Sequence, residues 1–134
     1  MSILAVLFAV IGGIIQADVH ASLIHRGRMD STVKAWWLGI RAVWLLVLTM
    51  ASKGGASMSI GLWMIYNSTF TLVLNMVMGW KPDYVGTTSR WDRLQRDMAL
   101  WVERLGIADQ RTALAAIASV VIYGGAALGL FLAL

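Results

Sequence analysis

Four runs of apolar side chains, each long enough to cross the hydrocarbon of a bilayer, leave this 134-residue chain few ways to fold. About 20 such residues wound as a helix rise about 30 Å, the thickness of that layer. The runs read as helices at about 2–25, 33–52, 58–80 and 112–134. A more polar segment at about 89–105 lies between the third and fourth. Polar turns join them, and no composition break divides residues 1–134, so the expectation is a single membrane domain. Its fold class is all-α: four transmembrane helices plus one interfacial amphipathic helix on the cytoplasmic side.

Composition agrees. The chain is 59% apolar and 13% charged, against about 25% charged in an ordinary soluble domain. With no cysteine, neither a disulfide framework nor a thiolate metal site is available, and stability must come from helix packing in lipid. The first run has no basic residue ahead of it, which argues for a retained span over a signal peptide. Cleavage after Ala17 or Ala21 is the lesser alternative.

Local chemistry places the boundaries. Asp30 or Ser31 can cap the second helix, and Lys53-Gly54-Gly55 makes a tight reversal. Lys81-Pro82 stops the third run. Ser89 followed by Asp92 has the form of a capping box, Gly106 is placed to end that helix, and Asp109 suits the cap of the last one. Within 89–105, Trp91, Leu94, Met98, Trp101 and Leu105 recur at steps of three and four, an apolar stripe among charges. Such a stripe can rest in a headgroup layer or pack on the embedded helices.

Nine Lys and Arg fall in the first and third connections, against Lys53 alone in the second. The positive-inside rule puts that basic face in the cytoplasm and both termini outside. Anionic lipid headgroups suit the formal charge of +4, and nucleic acid does not suit a chain with so little exposed surface.

Asp18 and Arg41 lie inside spans, where a lone charge costs about 3 kcal/mol. If the first two helices reverse near Met29 and Asp30, the two charges sit at one depth and should pair. That pair reads as a clamp on hairpin register or, alternatively, as part of a proton or ion pathway. Gln16, His20, His25, Asn67 and Asn75 form a further candidate polar cluster, read chiefly as interhelical hydrogen-bonding groups. Asp18, His20 and His25 do not converge on one helix face, so no metal site and no cofactor is expected. Lys81, Gly86, Thr87, Thr88, Ser89 and Arg90 gather donors and positive charge at a helix start, and could hold a lipid phosphate or simply cap the helix. Gly12, Gly13, Gly125 and Gly129 allow close helix approach and, with it, self-association. No nucleophile elbow, zincin motif or Walker loop is present.

The stretch Asn75 to Leu94, NMVMGWKPDYVGTTSRWDRL, resembles a pattern found in uncharacterised small integral membrane proteins of bacteria and phages, with its core in Tyr-x-Gly-Thr-Thr-Ser-x-x-Asp-Arg-Leu. The resemblance implies a bacterial or phage origin, hence a bacterial cytoplasmic membrane, and no particular activity. The expected role is a non-enzymatic component of a membrane assembly, formed with further copies or with a larger complex. The alternatives are a pore or holin-like permeabiliser lined by Asp18, Arg41, Asn67 or Asn75, and a lipid-binding protein or enzyme using Asp18, His20, His25 and the 86–90 loop.

Overall fold

The computed structural model describes every residue except Met1, Thr87 and Thr88. Its helices are α1 Ser2–His25, α2 Ser31–Ala51, α3 Ala56–Val77, α4 Arg90–Arg104 and α5 Gln110–Ala133. Among the described residues there is no strand. All but α4 are long and apolar enough to cross a membrane. The middle of α5, Val120–Gly124, is a π turn between two α-helical segments. Such a turn takes up one extra residue and resets which side chains face inward.

Caps account for most boundaries. The Asp30 carboxylate accepts from Val33 N at 2.8 Å, and Asp109 accepts from Thr112 N at 3.1 Å. Ser89 and Asp92 form the reciprocal box, with Ser89 Oγ accepting from Asp92 N at 2.9 Å and Asp92 Oδ2 accepting from Ser89 N at 3.3 Å. The third run ends at Val77, three residues short of Trp80. Gly79 adopts a φ of 72°, and Trp80 N donates to Asn75 O at 2.8 Å, closing the helix before the Lys81-Pro82 step is reached. After α2 it is Lys53, not a glycine, that takes the left-handed conformation, at φ 53°.

The central helix is α3, which packs on α1 along one side and on α5 along the other. Small residues bring α3 and α5 together: a Cβ on Gly61 would stand 2.6 Å from Gly129 O. Gly125 also lies close to α3, where an added Cβ would stand 2.9 Å from Ser68 Oγ. Gly13 lets α1 approach the backbone of Tyr66. Gly12 makes room for the rings of Trp44 and Tyr66. All four glycines expected to serve self-association therefore serve contacts inside the chain.

An apolar core of Ala5, Val6, Ala9, Leu45, Leu48, Met58, Leu62, Ile65, Tyr66 and Ala133 fills the end of the bundle where both termini lie. There α2 is anchored, for its only buried residues are Leu45, Leu48 and Thr49. Along its other half the bulky side chains of Trp37 and Arg41 stand between α2 and its neighbours. The last two helices form an αα-hairpin in which Gln95 and Ala99 of α4 and Ala113 and Ala118 of α5 are buried.

Candidate functional site

Arg41 lies near the middle of α2, and α1 and α3 supply its surroundings. Its Nε donates to Gln16 Oε1 at 3.2 Å, and its Nη1 donates to Asn67 Oδ1. The Tyr66 hydroxyl donates to the same Gln16 Oε1 at 2.6 Å. Three ring faces complete the setting, with the guanidinium carbon 4.9 Å from the centroid of Phe70, 5.0 Å from Tyr66 and 5.6 Å from Trp63. A cation in a dry interior is costly. Amide oxygens and aromatic quadrupoles offset part of that cost without adding a second charge.

The expected pairing of Asp18 with Arg41 is corrected by this arrangement. The two residues are level, as antiparallel packing requires, but Asp18 points outward and is exposed. Its neighbour two positions back, Gln16, is 1% exposed and occupies the inward face. A step of two residues turns a helix by about 200°, so equal depth did not bring equal direction.

His20, 8% exposed, extends the cluster toward the α1–α2 turn. Its Nδ1 lies 3.0 Å from Gln16 O, and its ring meets Trp37 at 5.5 Å and Phe70 at 5.0 Å, both edge-on. His25 is exposed at the end of α1. Among the described residues, no group of three His, Cys, Asp or Glu could hold a metal ion.

Asn67 and Asn75 do not share a groove. Asn67 serves Arg41 and also donates from Nδ2 to Trp63 O at 2.7 Å. Asn75 is 3% exposed and holds the following loop, donating to Pro82 O at 2.9 Å and Tyr84 O at 3.1 Å. The four residues that a lumen would need, Asp18, Arg41, Asn67 and Asn75, thus fall in three separate settings.

That loop is a latch between α3 and α4. Arg96, not singled out from the sequence, reaches back to donate from Nε to Gly86 O at 3.0 Å and from Nη2 to Val85 O at 2.7 Å. The rings of Trp80 and Tyr84 meet at a tilt of 37° with centroids 4.4 Å apart. A Cβ on Gly86 would come within 2.6 Å of Asp92 Oδ2, so a larger residue there would press on the capping carboxylate. At the start of α4 the Asp92 carboxylate accepts from Ser89 N, the bond of a capped helix. Lys81, Ser89 and Arg90 are exposed around it, while Thr87 and Thr88 lie outside the described residues. The one signal that could have pointed to Arg96 is its four-residue spacing from Asp92 on the helix.

On α4 the stripe of Trp91, Leu94, Met98, Trp101 and Leu105 is exposed throughout, between 47% and 62%. The buried residues of α4 are Gln95 and Ala99, which lie outside the stripe. Beneath the start of α4, a cavity of about 50 Å³ is bounded by Trp91, Gln95, Val85, Thr71, Ala118 and Ile122, among others. Comparison with protein families, curated proteins and solved structures finds no match.

Proposed function

We propose that this chain is a non-enzymatic component of a membrane assembly, held in a bacterial cytoplasmic membrane with both termini outside. The observation that carries the reading is the mutual satisfaction of Arg41, Gln16, Asn67 and Tyr66. Each finds its partners within the chain, as a register clamp would, rather than facing a channel or a substrate. Four helices long and apolar enough to span agree with it. The stripe of α4, with Arg90, Arg93 and Arg104 exposed beside it, supports an interfacial position among anionic headgroups.

The test is capture of the tagged full chain from membranes in a mild detergent. The expected result is a stoichiometric complex, either of several copies or with another membrane protein, together with an unchanged membrane potential on expression. A monodisperse monomer without co-purifying protein would count against the reading. Dye leakage abolished by Arg41→Leu would replace it with the permeabiliser.

A further inference from the structure

Among the described residues, neither intramembrane charge has an ionic partner. Asp18 stands seven residues before the end of α1, or about 10 Å into the helix. It faces away from the bundle, and no described residue pairs with it. Arg41 has only neutral hydrogen-bond acceptors. A guanidinium carries five N–H donors, and the acceptors around this one carry no charge. Arg41 is only partly buried, and Trp63, whose ring it faces, is 37% exposed, so the residue is not sealed from the outer side of α2 and α3.

The outward face of α1 has a second property. Leu4, Leu7, Ile11, Ile14 and Asp18 follow one another at alternating steps of three and four, and all are exposed. That is the spacing of a seam by which one helix packs along another. Lipid can cover its leucines and isoleucines, but lipid leaves the aspartate at a cost of about 3 kcal/mol.

We propose that copies of this chain associate head to tail in the plane of the bilayer, with the α1 seam of one copy against the α2–α3 face of the next and Asp18 paired to Arg41 across the contact. The occupant is a second copy because the charges are complementary and level. Gln16 already touches Arg41, and Asp18 lies about 3 Å farther along α1. Copies inserted in one orientation keep one depth, so charges level within a chain stay level between chains. The contact is heterologous, so it closes into a ring or continues as a chain within the membrane plane. It rests on the assembly reading above and gives that reading a partner.

The experiment is energy transfer between donor- and acceptor-labelled full chains in phosphatidylcholine vesicles, with labels on single introduced cysteines, since the chain has none. Wild type associates; D18N weakens association by about a hundredfold or more, because it removes the opposite charge that Arg41 meets across the contact. D18R copies stay apart on their own and associate when mixed with R41E copies, because each junction again joins opposite charges. Should R41E fail to fold, a mixture of Ile14→Cys and Trp63→Cys copies, which keeps both charges, is oxidised instead, and a disulfide between copies is expected. Association indifferent to D18N overturns the proposal, as does a chain monomeric at every protein-to-lipid ratio. Neither outcome bears on capture of a larger membrane complex, from which the failure of the assembly reading is read.

Discussion

Gln16 Oε1 receives two donors at once, the Nε of Arg41 at 3.2 Å and the hydroxyl of Tyr66 at 2.6 Å. One amide oxygen on α1 therefore ties α2 and α3 together, and the cation and the amide are not equivalent partners in that tie. Removing the acceptor leaves a buried charge and a buried hydroxyl short of partners, whereas removing the cation leaves only neutral groups. Gln16→Leu should cost about 2–4 kcal/mol of stability, and Arg41→Met about 1 kcal/mol or less. Thermal unfolding in detergent, followed by helical circular dichroism, measures both. Equal losses for the two variants would contradict the unequal roles.

The α3–α5 contact is set by backbone approach. Gly61→Ala would place a Cβ 2.6 Å from Gly129 O and 2.8 Å from Ala133 N, neither of which can rotate away. The helices must separate, and the expected loss is about 1–3 kcal/mol by the same measurement. Gly39→Ala is the control, since nothing lies within 4 Å of its Cβ position.

The loop before α4 depends on Asn75 and Arg96. Asn75→Ala removes both hydrogen bonds to Pro82 O and Tyr84 O, and Arg96→Ala frees the carbonyls of Val85 and Gly86. Each should raise the rate of proteolytic cleavage between 82 and 89 by about tenfold, the equivalent of about 1.4 kcal/mol of local opening. Arg96→Lys should recover only part of the effect, because an ammonium cannot make the forked contact.

Acid should loosen the start of α5. The Asp109 carboxyl is held below its usual value of 3.8, first by the Thr112 hydroxyl, which donates at 2.6 Å, and then by the Thr112 amide. Its folded pKa is the lower one, so the cap contributes in full above 3.8 and is lost as pH falls through the depressed value. Amide exchange at Thr112, corrected for the intrinsic rate, should become less protected in that range. In Asp109→Asn the protection should be independent of pH.

Much of this fold was legible in the order of residues. Length and hydropathy marked the spans, and short-range chemistry marked the caps at Asp30, Ser89 and Asp109, because a capping carboxylate or hydroxyl acts within three residues of itself. Depth was legible too, since antiparallel helices joined by a short turn keep their levels matched; Arg41 is therefore level with position 18 of α1, and it touches position 16.

Direction was decided only by tertiary structure. In a soluble helix the apolar stripe tells the inner face from the outer, but α1 is apolar all round, and lipid accepts one face as readily as the packed interior accepts the other. Periodicity therefore could not say that Gln16 turns inward and Asp18 outward, or that Gly125 and Gly129 meet α3 rather than another chain. Nor could it say that Arg96 folds back on its own loop, because the carbonyls it binds lie ten and eleven residues away. Those choices follow from which close approaches the small residues permit and from where the large side chains of Trp37, Arg41 and Trp44 can be seated between helices.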